Sequence, residues 1–107
     1  MQIAIDKHLE TLRDIGPLYA EAKGLRVLAD ESVKIARADA FLEASGTVAE
    51  REAKAMQSAG YRTAVNGLSA AVEQEEKYRR MLITAEAAVE VWRSLESSRR
   101  TMDRAAA

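Results

Sequence analysis

The sequence predicts an all-α fold, an elongated antiparallel helical hairpin with a short elbow helix. Of its 107 residues 48% are apolar, whereas glycine occurs five times and proline once, so few residues break helices. Apolar side chains recur three or four positions apart, which is the spacing of one helix face. The last such stretch, from Tyr61 to Asp103, would measure about 60 Å, too long for a compact domain with a radius of gyration of about 13 Å. The rest of the chain is therefore expected to run antiparallel to it within a single domain over residues 1–107.

The first half of the chain predicts two helices, over residues 2–15 and 17–44. Ile5, Leu9 and Leu12 form a short apolar stripe in the first of them. Gly16 suits a helix C-terminus and Pro17 suits a first helical turn, so the helix either restarts at Pro17 or is kinked there. One face of the second helix carries an apolar stripe of Leu18, Ala22, Leu25, Leu28, Ile35 and Leu42.

Residues 46–60 predict an elbow that reverses the chain. Gly46 can adopt the left-handed conformation that ends a helix. Thr47 and Glu50 match a capping box, in which the Thr47 hydroxyl accepts from the Glu50 N–H and the Glu50 carboxylate accepts from the Thr47 N–H. A short helix over residues 48–58 follows, and Gly60 is expected to end it.

The last helix is predicted over residues 61–103, with an apolar stripe at nearly the spacing of a coiled coil. This stripe contains Val65, Leu68, Val72, Tyr78, Leu82, Ala85, Val89, Trp92 and Met102. Other apolar residues fall outside the paired faces, namely Tyr19, Val27, Val33, Phe41, Met81, Ile83 and Val91. Each large side chain left in water forgoes about 1.5–3 kcal/mol of burial free energy. We therefore expect a homodimer or larger homo-oligomer, in which two hairpins complete a four-helix bundle.

The interface of that oligomer is predicted at Leu68, Val72, Leu82, Val89 and Trp92. Trp92 lies in register with Val89, which favours a role in packing over a role in base stacking. The alternative is an elongated monomer whose flanks are covered by alanines and by the aliphatic stems of lysines and arginines.

Residues that carry catalytic or metal chemistry are scarce. The chain has no cysteine, which excludes thiolate sites. Its one histidine, His8, is by itself a poor set of metal ligands. Glu75, Glu76 and Glu86 lie at helical-neighbour distance from bases such as Arg79, as expected for surface ion pairs. There is no nucleophile elbow and no glycine-rich phosphate loop. We expect no enzymatic activity, no metal and no cofactor.

The net charge and the N-terminal segment bear on the localisation of the protein and on its attraction to polyanions. Sixteen Lys and Arg residues against seventeen Asp and Glu residues give a net charge of −1, so no overall field attracts a polyanion. The N-terminus lacks the basic start and apolar run of a secretory signal. The sequence predicts a cytoplasmic protein without membrane contact.

A short basic patch lies near the C-terminus, beside the single tryptophan. It contains Arg93, Arg99, Arg100 and Arg104 against Glu96 and Asp103. The patch could border a site for an unidentified protein partner, with Glu50 and Arg51 of the elbow as further contact residues. Alternatively it could bind nucleic acid, or only complement the negative end of the helix dipole.

Two stretches resemble a group of small helical proteins encoded by tailed bacteriophages and prophages near recombination and replication genes. They are "AFLEASGTVAEREAKA" at 40–55 and "EEKYRRMLITAEAAVEVWRSLESSRR" at 75–100. That group has no assigned activity, so the resemblance implies a setting and no catalytic residues. It implies a phage accessory protein in the host cytoplasm, in recombination, replication or counter-defence.

Overall fold

The computed structural model describes residues 4–106 and consists of three helices. Helix α1 spans Ile5–Glu43, α2 spans Val48–Gln57 and α3 spans Ala59–Ala106. No strand occurs within residues 4–106. The predicted all-α hairpin with a short elbow helix is confirmed. Residue 2, the predicted first residue of the first helix, lies outside the described residues.

The chain forms two compact units. The terminal unit contains the chain up to Tyr19 and from Lys77 onward, and the elbow unit contains Ala20–Glu76. Each unit holds a segment of α1 and a segment of α3, and the elbow unit also holds α2. A single domain over residues 1–107 stays a prediction.

Burial on both long helices follows steps that alternate between three and four residues. In α1 every residue at these steps is buried or half-buried, namely Ile5, His8, Leu12, Ile15, Tyr19, Ala22, Arg26, Ala29, Val33, Ala36 and Ala40. The same holds in α3 for Tyr61, Ala64, Leu68, Ala71, Glu75, Tyr78, Leu82, Ala85, Val89, Trp92 and Glu96. This is the heptad pattern of a coiled coil, and we call these residues the seam. The seam of α1 in the elbow unit is mostly alanine, which permits close approach of a neighbouring helix.

Helix α1 continues without interruption through Gly16 and Pro17. The two predicted helices over 2–15 and 17–44 are therefore one helix, and of the two alternatives at Pro17 the restart is wrong. Proline removes one backbone N–H donor from a helix interior, yet its φ is compatible with helical backbone. The seam residues Ile15 and Tyr19 are half-buried on either side of it. Their burial holds both sides of Pro17 in one helix despite the missing hydrogen bond.

The apolar stripe predicted for α1 is not the face that is buried. Within that predicted stripe Ala22 is 4% exposed, but the other members are all exposed, namely Leu18, Leu25, Leu28, Ile35 and Leu42. Conversely, Tyr19 and Val33, predicted to lie outside the paired face, are on the seam. The helix carries two sets of residues at the same spacing, and the set with smaller side chains is the one that is covered.

At the start of the elbow the predicted left-handed Gly46 and the predicted bond to the Thr47 hydroxyl are both present. Gly46 has a φ of +116°, and the Thr47 hydroxyl accepts a hydrogen bond from the Glu50 N–H at 3.2 Å. Thr47 is the N-cap of α2, with extended backbone. The Glu50 carboxylate lies against Gly46, so that a Cβ built at Gly46 would collide with it.

Ser58, and not Gly60, separates α2 from α3. Its hydroxyl donates to the Ala55 carbonyl at 2.7 Å and accepts from the Tyr61 N–H at 3.2 Å. The serine thereby caps the end of α2 and the start of α3. Gly60 lies in the first turn of α3, so its predicted role as a terminator is wrong.

Replacing Ser58 by alanine is expected to lower the free energy of unfolding by about 1 kcal/mol, because both helix ends lose a hydrogen-bond partner. Urea denaturation followed by circular dichroism measures the change. Ser69→Ala is the matched control: Ser69 is exposed within α3, where alanine is the better helix former and a slight stabilisation is expected. Equal effects of the two substitutions would contradict the capping role.

Candidate protein-interaction surface

Helix α1 carries a second line of residues at seam spacing, and all of its members are exposed. This line follows steps of three and four residues from position 18 to position 42, on the side of the helix next to the seam. We call this line the α1 stripe: Leu18, Glu21, Leu25, Leu28, Ser32, Ile35, Asp39 and Leu42. Its five aliphatic side chains are between 40% and 73% exposed. An exposed line in which five of eight side chains are large and aliphatic is typical of a surface that binds another helix.

Helix α3 carries a comparable line within the terminal unit. We call it the α3 stripe: Met81, Thr84, Ala88, Val91, Leu95, Ser98 and Met102. Ala88 is half-buried and the others are exposed, with Met81 at 38% and Met102 at 71%. The line contains no charged residue, and its steps are again three and four residues long.

Most of the residues predicted to form an oligomer interface lie on the seam of a single chain. Leu68, Leu82 and Trp92 are half-buried and Val89 is 7% exposed. Val72 alone of the predicted set is exposed, at 41%. The two stripes are therefore more accessible to a partner than the predicted interface is.

Two of the four C-terminal arginines form ion pairs with acidic side chains of the same helix. Arg93 pairs with Glu90 at 2.9 Å. Arg99 pairs with Glu96 at 2.8 Å and with Asp103 at 3.3 Å. The hydrogen bond from Arg99 lowers the pKa of Glu96. These ion pairs reduce the positive charge that the patch can offer to a phosphate.

Two further arginines of the patch, Arg100 and Arg104, are exposed. Arg100 also lies close enough to Glu96 to lower the pKa of that carboxyl, after the larger contribution of Arg99. Every described residue from 97 to 106 is exposed, so this end of α3 has solvent on all sides. Trp92 is half-buried on the seam, in agreement with its predicted packing role.

The elbow residue Arg51 has a structural role at the end of α1. Its Nε donates to the Phe41 carbonyl at 3.2 Å, and its guanidinium lies 4.2 Å from the centre of the Phe41 ring. Lys54 Nζ donates to the Ser45 carbonyl at 2.8 Å. The last turn of α1 has no basic residue of its own, so these cations of α2 complement the negative end of its dipole. Sequence reasoning missed Lys54, which only the reversal of the chain brings to this position.

A polar layer interrupts the seam of the elbow unit. Arg26 Nε donates to the Glu75 carboxylate on α3, and Arg26 Nη1 donates to Asp30 at 2.9 Å. The bond to Glu75, followed by the bond to Asp30, raises the pKa of Arg26. Glu75 is thus not the ordinary surface residue that was predicted, because its side chain is only 15% exposed. A half-buried pair between helices fixes their register.

Other kinds of site are not evident in the described chain. Grooves occur on both units, for example one lined by Lys7, His8, Thr11, Arg80, Met81, Thr84 and Ala85. Within residues 4–106 no group of three His, Asp or Glu side chains lies close enough to hold a metal ion. None of the helices described is both long and apolar enough to cross a bilayer. Comparison of the chain with protein families, with curated proteins and with solved structures found no match.

Proposed function

We propose that this is a non-enzymatic interaction protein, which acts through protein–protein contacts made by the exposed stripes of its long helices. The observation that carries the proposal is the α1 stripe, with five large aliphatic side chains exposed in one line. Full burial of one leucine or isoleucine contributes about 1.5–3 kcal/mol. A partner helix docked on this line would gain part of that free energy at each of the five positions, which would offset the cost of association.

The edges of the α1 stripe also have the character of a protein interface. Glu21 and Asp39 flank its apolar centre, and both are exposed. Interfaces commonly combine an apolar centre with a polar rim that gives specificity. A protein partner with basic flanking residues fits this surface better than a nucleic acid does.

Nucleic-acid binding through Arg93, Arg99, Arg100 and Arg104 is the second candidate function. The exposed end of α3 favours it, whereas the ion pairs of Arg93 and Arg99 weigh against it. A gel shift of short DNA or RNA at low salt that weakens steeply as salt rises would support it. The setting implied by the resemblance, a phage accessory protein in the host cytoplasm, remains a hypothesis for either function.

Photo-crosslinking in the cells that naturally make the protein tests the interaction proposal. A photoreactive amino acid in place of Leu28 is expected to give a discrete crosslinked protein band, because Leu28 is 63% exposed in the middle of the α1 stripe. The same amino acid in place of Lys23, which is exposed on a different side of α1, is the control. Mass spectrometry of the band identifies the partner.

The band from position 28 should be absent or much weaker from position 23. Crosslinking in equal amounts from both positions, or none from position 28, would contradict the proposal. Circular dichroism of both variants confirms that helicity is retained.

A further inference from the structure

We infer that the α3 stripe binds an amphipathic helix of a partner protein, and that acidic residues flank the apolar line of that helix at one end. The inference rests on the proposed function and names the chemistry of one partner. Three observations support it: a groove lined by bases at one end of the stripe, the balance of charge around that groove, and the uncharged apolar line that leads away from it.

A groove between α1 and α3 lies at the first end of the α3 stripe, within the terminal unit. Its lining includes Met81 and Thr84 of the stripe and three basic residues, Lys7, His8 and Arg80, but no acid. We call it the basic groove. Lys7 and Arg80 are exposed, and neither forms an ion pair or a side-chain hydrogen bond with another residue of the described chain. Two positive charges therefore lie beside the apolar line without a partner of their own.

Acidic residues are also close to the basic groove, but they do not cancel its charge. Glu10 and Asp14 line an adjoining groove that shares Lys7 with it. Asp14 already pairs with Arg13 at 3.3 Å. Lys7 and Arg80 together therefore exceed the remaining acid, Glu10, by one positive charge. A partner that brings carboxylates to this end of the stripe is favoured over one that brings bases.

The rest of the α3 stripe is uncharged. No charged residue occurs in it, and its outer edge after Arg80, at positions 87, 94 and 101, consists of alanine, serine and threonine. Val91 and Leu95 in the middle of the line are 43% and 44% exposed.

This distribution of charge identifies the kind of partner. An apolar line with a charged end matches a helix that has apolar residues at steps of three and four, and acidic residues only where it reaches the basic groove. A nucleic acid fits less well, because it carries a phosphate at every step and needs bases along the whole contact.

Fluorescence anisotropy of two labelled synthetic peptides, titrated with the purified full chain, tests the inference. Both peptides are helical and carry leucines at alternating steps of three and four residues. One has glutamates beside this line in the first two turns, and the other has lysines at the same positions. The acidic peptide should bind about fivefold more tightly, which is the effect expected of two exposed ion pairs.

Variants of the protein locate the contact. Lys7→Glu combined with Arg80→Glu should remove or invert the preference for the acidic peptide. Lys23→Glu combined with Arg62→Glu changes the net charge equally at exposed residues that do not line the groove, and should leave the preference intact. Val91→Lys should weaken binding of both peptides by about tenfold. Its control is Ile83→Lys, because Ile83 is 48% exposed on the same helix but outside the stripe.

Equal binding of the two peptides, or binding of neither, would overturn the inference. So would a wild type that sediments as a dimer and becomes a monomer in the Val91→Lys variant, because a second copy would then cover the line. A DNA gel shift that the Lys7 and Arg80 double variant abolishes would reassign the basic groove to nucleic acid. Each of these results leaves the crosslink from position 28 as a separate test, so failure of this inference is distinguishable from failure of the proposed function.

Discussion

Replacing Ala85 by leucine is expected to lower the free energy of unfolding by about 1–3 kcal/mol. Ala85 is a seam residue of α3 in the terminal unit and is 1% exposed. Because Ala85 is almost fully enclosed on the seam, three additional carbon atoms are expected either to displace neighbouring side chains or to push the helices apart. The expected effect is large because Ala85 is among the most completely buried of the described residues. Thermal or urea unfolding of the purified variant measures it.

The matched control is Ala87→Leu, two residues further along the same helix. Ala87 is exposed, and substitutions at such positions usually change stability by no more than about 0.5 kcal/mol. Alanine and leucine also have similar helix propensities, so the difference between the two variants reports packing at position 85. If both variants unfolded at the same denaturant concentration, close packing at Ala85 would be refuted.

Replacing Gly46 by alanine is expected to lower the free energy of unfolding by at least about 1–2 kcal/mol. The backbone of Gly46 has a φ of +116°, which side chains other than hydrogen rarely permit. The new methyl group would also collide with the Glu50 carboxylate, which would have to move away. Both costs fall on the elbow, where α1 ends and the chain enters α2.

Gly67→Ala should have the opposite sign. Gly67 lies inside α3, and no atom lies within 4 Å of the position that its Cβ would take. Alanine in a helix interior is favoured over glycine by about 0.5–1 kcal/mol, so this variant should be more stable than the wild type. Urea titration of the Gly46→Ala and Gly67→Ala variants side by side measures both changes in the free energy of unfolding. Destabilisation by both would contradict the explanation that backbone conformation at each glycine sets the sign.

Some contacts of the elbow could be predicted because they join residues that are close together in the sequence. Gly46 and the Thr47 to Glu50 bond were predictable because the groups that interact lie within four residues of each other. The capping role of Ser58 was not predicted although its bonds are equally local, because Gly60, two residues later, is also a common type of helix terminator. The signal was a serine three residues before Tyr61, the ordinary spacing of an N-cap.

The contacts of Arg51, Lys54 and Glu75 were not predictable in the same way. Lys54 reaches the Ser45 carbonyl, and Arg51 reaches the Phe41 carbonyl, only because α2 folds back on the end of α1. Glu75 bonds to Arg26, a residue far away in the sequence. A long-range ion pair depends on the register of two helices, and no local pattern specifies that register.

At Pro17 a local sequence signal gave a wrong prediction. Glycine followed by proline predicts an end of a helix, but α1 continues through both residues. The propensity of two residues for a break is a local free energy of a few kcal/mol at most. Half-buried seam residues on both sides of Pro17 outweigh it.

By itself the sequence determined the helical class, the antiparallel reversal and the presence of long apolar lines, because composition and spacing depend on the covalent chain alone. Only the tertiary structure decided which line of α1 is covered. The alanine-rich seam and the leucine-rich α1 stripe have the same periodicity, so periodicity cannot distinguish them. The choice depends on which face α3 approaches, and the small side chains of the seam let it approach closely while the larger ones remain exposed.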